Sequence, residues 1–228
     1  MASFKTYQDY EEAKREWLCV PHAVYIQKTG SCVQMTGNEQ LIFEDATVAS
    51  IMGTTTYYAV SKIQSLNNRF RNTQIESFKD FRHFKCILDI EEKAFEDCNT
   101  LTDIYLPEYV YTIGNHAFSH CSSLTSIRLC GKVEIIAESA FSSCINLPNI
   151  TIPLSVKAIG DYAFYNCKSL EEIDMMPLNP PYINDDTIFK GCDCLRAINI
   201  WPSCIPDYIN HPIWSKYKSL FQMKEMRQ

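Results

Sequence analysis

Ala117-Phe118-Ser119-His120-Cys121-Ser122-Ser123-Leu124-Thr125-Ser126-Ile127-Arg128-Leu129 is the stretch on which the reading of this chain turns. An Ala-Phe pair is followed by Cys three residues after the Phe, by Leu three later, by Ile three later, and by a further apolar residue two later. The Ala-Phe-x-x-Cys-x-x-Leu-x-x-Ile phrase occurs four times, and its phenylalanines Phe95, Phe118, Phe141 and Phe164 are each 23 residues from the last. A fifth copy has Ile188 in place of the Ala. Its Phe189 comes after 25 residues, yet Cys192, Leu195, Ile198 and Ile200 keep the internal offsets, so the two extra residues belong to the connection. A fixed period in the twenties means a solenoid whose units cannot bury their apolar faces alone.

The logic of one unit follows from its letters. Leu101, Ile104 and Leu106 point inward from a short strand, and Pro107, which lacks a backbone donor, ends it. Val110 and Ile113 form a second inward pair, Gly114 makes the corner, and Ala117-Phe118 begins the closing turn. The same steps recur in Leu124, Ile127, Leu129, Val133 and Ile136, and in Leu147, Ile150, Ile152, Val156 and Ile159. Five coils stacked at the strand spacing span about 20–25 Å. Each buried Phe, Leu or Ile contributes roughly 1.5–3 kcal/mol, offset largely by ordering entropy, so both open ends need covers.

Side chains alternate along a strand, so the residues flanking the inward Ile face solvent. These are Asp103 and Tyr105, Ser126 and Arg128, Asn149 and Thr151, Glu172 and Asp174, and Ala197 and Asn199. They pave one sheet face with mixed polarity, which reads either as a solvated surface or as a platform for protein or glycan, the usual use of a solenoid face. Tyr105 and Arg128 are the residue types that dominate interfaces.

Eleven cysteines would suggest a disulfide framework if five of them, Cys98, Cys121, Cys144, Cys167 and Cys192, did not share one slot of successive repeats. Cysteine is among the most buried residue types even when unpaired, so a ladder of packed free thiols is the expectation. Other constellations are weaker. His116 and His120 stand at i,i+4 beside Cys121, but a helical zinc motif needs a Glu after the first His, and Ala117 is there. Cys192-Asp193-Cys194 lacks the spacing and the second pair of a zinc site. With no phosphate loop or nucleophile elbow, an enzyme is not expected, nor a cofactor or metal.

Outside the repeats, residues 4–17 read as an amphipathic helix, with Tyr7, Tyr10, Lys14 and Trp17 at helical spacing. Residues 23–27 and 31–35 flank Lys28-Thr29-Gly30 as a hairpin. Leu41-Ile42-Phe43 reads as a strand, Asp45 as the cap of a helix through Met52, and Gly53 as its stop. Val60, Ile63 and Leu66 suggest a second helix closed by Asn67 and Asn68. Gln74–Phe78 alternates as a strand does. The prolines of Met175–Ile183 forbid a helix there and favour an extended crossing that carries the two inserted residues. Aromatics and a helical run from Tyr208 to Leu220 form a C-terminal cap, and the basic tail from Lys224 is expected to fray.

Four regions are expected: an N-terminal helix and hairpin element (1–40), a capping segment (41–84), the solenoid (85–202), and a C-terminal cap and tail (203–228). The net charge of −6 over 228 residues, with 21 scattered Lys and Arg, argues against nucleic acid. No stretch approaches the roughly 18 apolar residues of a membrane span. Met1–Tyr10 has no apolar h-region, which favours a virion or cytoplasmic location over a secreted cell-surface one.

The phrase Ala117-Phe118-x-x-Cys121-x-x-Leu124-x-x-Ile127-x-Leu129, together with Leu106-Pro107-x-x-Val110-x-x-Ile113-Gly114, resembles the BspA-like, or Treponema pallidum-type, leucine-rich repeat. The likeness covers about residues 74–220, and its closing element is similar to Trp201-Pro202, Tyr208 and Trp214-x-x-Tyr217. The resemblance implies a leucine-rich repeat solenoid with a non-catalytic interaction surface, used for adhesion and protein binding in surface proteins of anaerobic bacteria, in some protozoa and in phages. Two functions are therefore carried forward. One is a binding module that recognises protein or glycan through its strand face. The other is a structural subunit, for example of a phage particle, joined to a larger assembly through residues 1–40.

Overall fold

A computed structural model describes residues 25–28, 31–34, 40–53 and 55–224. From Phe70 to Met223 the chain winds as a series of coils held by three hydrogen-bond ladders, each explained by one part of the repeated phrase. The first is the face sheet, formed where the Leu-x-x-Ile portion extends. Ser77–Phe78, Asp103–Tyr105 and Ser126–Arg128 pair in parallel, as do Asn149–Ile152, Glu172–Met175, Ala197–Ile200 and Phe221–Met223. Register is in step: Ile104 lies beside Ile127, Ile150 beside Ile173, and Ile173 beside Ile198, so each inward Ile stacks on its copy.

A second parallel sheet joins Asp89–Ile90, Thr112–Ile113, Ile135–Ile136 and Ala158–Ile159, with Tyr182 bridged to Ala158. Its inward row of Ile90, Ile113, Ile136 and Ile159 closes the core against Val110, Val133 and Val156. Gly114 and Gly160 stand at the corner beyond it. A Cβ on Gly114 would sit 2.6 Å from the Ile90 carbonyl oxygen, and one on Gly160 2.5 Å from the Glu138 nitrogen, so the backbones approach there as only glycine allows.

The third ladder runs through the Ala-Phe turn, where backbone donors alternate in direction. His116, Phe118 and His120 give their N–H groups to Glu138, Ala140 and Ser142 of the next coil, while Ala117, Ser119 and Cys121 give theirs to residues three back. The alternation requires two left-handed residues per turn: Lys93 and Asp97, His116 and His120, Ser139 and Ser143, Tyr162 and Asn166. Left-handed backbone is unfavourable for most side chains, so the ladder and the packing beneath it must supply the difference. That packing is the phenylalanine stack. Phe95, Phe118, Phe141 and Phe164 lie 5.2 to 5.4 Å apart with ring planes within 5° of parallel.

Each cysteine of the phrase is buried or half-buried beneath this stack, and the nine cysteines from Cys86 to Cys204 are all free thiols. Burial drives the thiols of Cys98, Cys121 and Cys144 upward from the ordinary thiol range, so they stay protonated.

The stack and the sheet both reach back further than the phrase. Phe70 stacks on Phe95 at 5.6 Å, Asn68 and Asn72 take the two left-handed positions, and Asn72 donates to the Glu96 carbonyl as Asp97 does to Ser119. The segment 70–78 is thus one more coil, with Arg69 where the Ala would stand and Thr73 in the thiol slot. Only Ser77–Phe78 of the expected Gln74–Phe78 strand is extended, and Ile75 and Phe78 point inward as Leu101 and Ile104 do in the next coil. The apolar residues there follow the repeat and not strict alternation.

Tyr25–Lys28 and Ser31–Gln34 form the expected antiparallel hairpin, with Lys28 opposite Ser31. The helix expected over 4–17 lies outside the described residues. Gln40–Leu41 pairs with Thr55–Thr56, so the strand expected over 41–43 begins one residue earlier and is shorter. Helix α1 (Ala46–Met52) is capped by Asp45 and stopped by Gly53 at φ +68°, as its letters indicated. Helix α2 covers only Tyr57–Ser61, so Ile63 and Leu66 follow it outside the helix, and Leu66 is buried in the core by a turn at Asn67 and Asn68. Asp45 does more than cap. Its Oδ1 accepts from Thr47 and Val48, and its Oδ2 accepts from Glu76 at 2.7 Å and Ser77 at 3.1 Å, covering the first edge of the face sheet.

At the other end, Tyr208 in α3 (Ile205–Asn210) and Trp214 in the 3-10 turn Trp214–Leu220 are fully buried. The proline-rich connection matters here because prolines leave carbonyls without ladder partners. Tyr208 Oη donates to the Pro177 carbonyl at 3.2 Å, Trp214 Nε1 to Pro181 at 2.8 Å, and Tyr217 Oη to Asp186 at 2.8 Å. The two inserted residues loosen the stack, since Phe189 is tilted by 29° from Phe164. Lys224 does not fray as expected. Phe221–Met223 adds a last strand to the face sheet, the Lys224 backbone donates to the Ile200 carbonyl, and its ammonium lies 2.6 Å from Asp174.

Candidate functional site

The strand face is shaped by one proline. In the residue before each face strand, the N–H donates to the carbonyl of its counterpart one coil back: Thr102 to Glu76, Thr125 to Thr102, Glu171 to Pro148, and Arg196 to Glu171, all at 2.8 to 3.0 Å. Pro148 holds that position in the fourth of these coils and has no N–H to give. The ladder is interrupted there, dividing the face into a three-stranded and a four-stranded sheet between Ser126–Arg128 and Asn149–Ile152.

Two open grooves lie on this face and share the strand Asn149-Ile150-Thr151. The first, about 1060 Å³, crosses the interruption and is lined by Tyr105, Ser126, Arg128, Asn149, Thr151 and Leu154 among others. The second, about 930 Å³, is bordered by Glu171, Glu172, Asp174, Arg196, Asn199 and Lys224. Of the ten residues anticipated from the repeat, only Asp103 and Ala197 line neither groove. The Asp103 carboxylate accepts the Ser77 hydroxyl at 2.5 Å and faces Lys79 at 3.9 Å, at the edge of the sheet.

Ala197 was expected to face solvent with Asn199, but it is buried. A methyl group is too short to rise between its neighbours: Arg196 reaches across to Glu171 and Glu172, and Phe221 comes alongside Ile198.

The two grooves differ in electrostatics. In the second, Arg196 lies 2.8 Å from Glu171 and 2.9 Å from Glu172, Lys224 pairs with Asp174, and Asn199 donates to Asp174 at 3.0 Å. In the first, Tyr105 is 44% exposed with the Arg82 guanidinium 5.6 Å from its ring centre, and Arg128 is exposed. Among the described residues, neither arginine has a carboxylate within ion-pair distance.

Arg82, Leu154, Trp201 and Lys224 were not anticipated at the face. Leu154 had a signal, being an apolar residue after Pro153 where the other coils carry Glu108 and Gly131. Lys224 and Arg82 had none, because they come from the end covers, whose sequences do not repeat.

The cysteine and histidine constellations resolve into structure. His116 and His120 are the two left-handed residues bracketing one Ala-Phe turn, not neighbours on a helix face. Cys192 donates its thiol proton to the Phe164 carbonyl at 3.0 Å, and Cys194 is exposed. Among the described residues, no group of three or more His, Cys, Asp or Glu is placed to hold a metal ion, and no helix is long and apolar enough to cross a membrane.

Known proteins carry the same repeat. A family model described as BspA type leucine rich repeat region matches residues 88–211 in six copies. Among solved structures, a leucine-rich repeat protein of T. pallidum is 31% identical with a TM-score of 0.47, over 50% of this chain and 52% of that one. A leucine rich cell surface protein from Faecalibacterium prausnitzii A2-165 is 26% identical with a TM-score of 0.49, over 66% and 36%. A leucine-rich repeat protein from Bacteroides ovatus ATCC 8483 is 29% identical with a TM-score of 0.36, over 50% and 35%. This chain therefore matches about half the length of the first and about a third of the other two. No curated protein matches the chain.

Proposed function

We propose, from the premise that the chain belongs to the BspA-type leucine-rich repeat family, that it is a binding module of adhesion type whose strand face recognises protein or glycan. The observation that carries this reading is the gathering of the positions the repeat leaves free around two adjoining grooves. Tyr105, Ser126, Arg128, Asn149, Thr151, Glu172, Asp174 and Asn199 are positions the repeat leaves free, and all of them line the two adjoining grooves. Repeat families of this architecture generally act as binding surfaces and not as catalysts.

The test is an array of proteins and glycans probed with the labelled chain and with the face variants Tyr105→Ala and Arg128→Ala, folding being checked by circular dichroism. Expected are hits that weaken in the face variants and persist when residues 1–40 are deleted. Hits indifferent to both face substitutions, together with a change of assembly state on deletion of 1–40, would replace this reading with that of a structural subunit held through its N-terminal element.

A further inference from the structure

We propose that the first groove takes an acidic, extended segment of a partner protein. This rests on the binding-face reading above and names the partner's chemistry at that face.

The charge pattern carries the inference. The second groove is internally neutralised in its cations, since Arg196 and Lys224 are each held against carboxylates of the same groove. The first groove is not. Arg128 stands exposed on its wall, Arg82 lies over the Tyr105 ring, and neither has a carboxylate partner among the described residues. Among the described residues no acid lines this groove: Glu108 is exposed on the turn after the Tyr105 strand, Asp103 is occupied by Ser77 and Lys79, and Asp80, two residues from Arg82, is buried and accepts the Glu44 N–H. A partner that covers Arg128 without a counter-charge would strand a desolvated cation, which is costly. A carboxylate removes that cost and gains charge-assisted hydrogen bonds.

The remaining surface sets the rest of the ligand. Tyr105, Leu154 at 61% exposure and the half-buried Met176 give an apolar patch beside the arginine. An apolar or aromatic side chain next to the acid fills it. Asn149 and Thr151 line the middle of the groove with amide and hydroxyl groups suited to peptide bonds. A neutral glycan could stack on Tyr105 but would leave the arginine charge uncompensated.

The experiment is selection from a library of short random peptides on the immobilised full chain, followed by calorimetric titration of the peptides recovered and by a parallel glycan array. Expected are sequences enriched in Asp or Glu next to Leu, Phe or Tyr. Their affinity should drop about tenfold or more in Arg128→Ala, partly recover in Arg128→Lys, and fall with added salt. Lys157→Ala, on the second sheet, should leave it unchanged. Enrichment of neutral or basic peptides, or of none, overturns the inference. Neutral glycans whose binding is lost in Tyr105→Ala, or ligands sensitive to Asp174→Ala and indifferent to Arg128→Ala, overturn it while leaving the binding-face reading standing. Ligands indifferent to every face substitution defeat both.

Discussion

The Cys144 thiol donates a hydrogen bond to the backbone carbonyl of Phe118, one coil back, at 3.1 Å. The same oxygen accepts the Cys121 N–H, so the thiol uses the second lone pair of a carbonyl buried under the aromatic stack. The pattern repeats from Cys98 to Phe70, Cys121 to Phe95, Cys167 to Phe141 and Cys192 to Phe164, at 2.9 to 3.2 Å. The ladder cysteine is a small apolar packing group, as its register with Phe, Leu and Ile indicated, with one weak donor in the right place.

The first prediction concerns that donor. Cys144→Ala should destabilise the protein by about 2 kcal/mol, from the lost thiol contacts and the under-satisfied carbonyl. Urea denaturation of wild type and variant measures it; a change below about 0.5 kcal/mol would mean that the thiol hydrogen bond contributes nothing.

Thiol reactivity should follow the ladder. Cys194 is exposed, whereas burial holds Cys121 and Cys144 protonated, so a water-soluble disulfide reagent should label Cys194 quickly in the native protein. Labelling of Cys121 and Cys144 should require unfolding. Mass spectrometry after a timed quench reads the order, and early modification of Cys144 would contradict the packing described.

Backbone approach at the coil corner gives a paired test. Gly160→Ala places a Cβ 2.5 Å from the Glu138 nitrogen and should cost about 1–3 kcal/mol, while Gly131→Ala has open space and should stay within about 0.5 kcal/mol. Equal thermal midpoints for the two variants would refute the contact.

Asp45 joins a helix cap to a sheet edge, so its loss should be felt at both. Burial alone would raise its carboxyl, but N–H groups from Val48, Glu76, Ser77 and Thr47 outweigh that and hold it below the usual carboxylate value. Asp45→Ala should destabilise by about 2 kcal/mol and speed hydrogen exchange at the Glu76 and Ser77 amides. Unchanged exchange at those amides would show that the edge is protected by something else.

His83 supplies a pH dependence. It is buried, its ring meets Tyr57 edge-on at 4.9 Å, and burial first, then Arg82 and Lys85, lower it from 6.5 to about 4. The unfolded chain therefore binds a proton between about pH 6.5 and 4 that the folded chain refuses, so stability falls as pH drops through that window. The loss is at most about 3 kcal/mol. Denaturation across the window should show this slope in wild type and a shallower one in His83→Gln.

The solenoid was legible because its constraint is repetitive. Every coil meets the same neighbours above and below, so the same slots must hold Phe, Cys, Leu and Ile, and a period emerges that chance does not produce. Phe70 escaped because its coil lacks the flanking Ala and carries Thr73 in the thiol slot, while Asn68 and Asn72 keep the backbone geometry. Ala197 was misplaced because alternation assigns a direction, whereas exposure also depends on the height of neighbouring side chains. The short α2 helix and the Lys224 contact lay in end covers, where each segment meets a unique surface.

By itself the sequence determined the repeat, its inward and outward positions and the packing role of the thiols, because side-chain period and coil period are properties of the chain. Only the tertiary structure decided that the face is concave in two places, since the groove at Pro148 arises from a missing donor between residues of adjacent coils. The tertiary structure also decided that Arg196 and Lys224 are neutralised by nearby carboxylates while Arg82 and Arg128 are not. The coil period sets Arg196 beside Glu171, but whether side chains close to a few ångströms, and where Lys224 and Arg82 of the end covers fall, is decided by the winding.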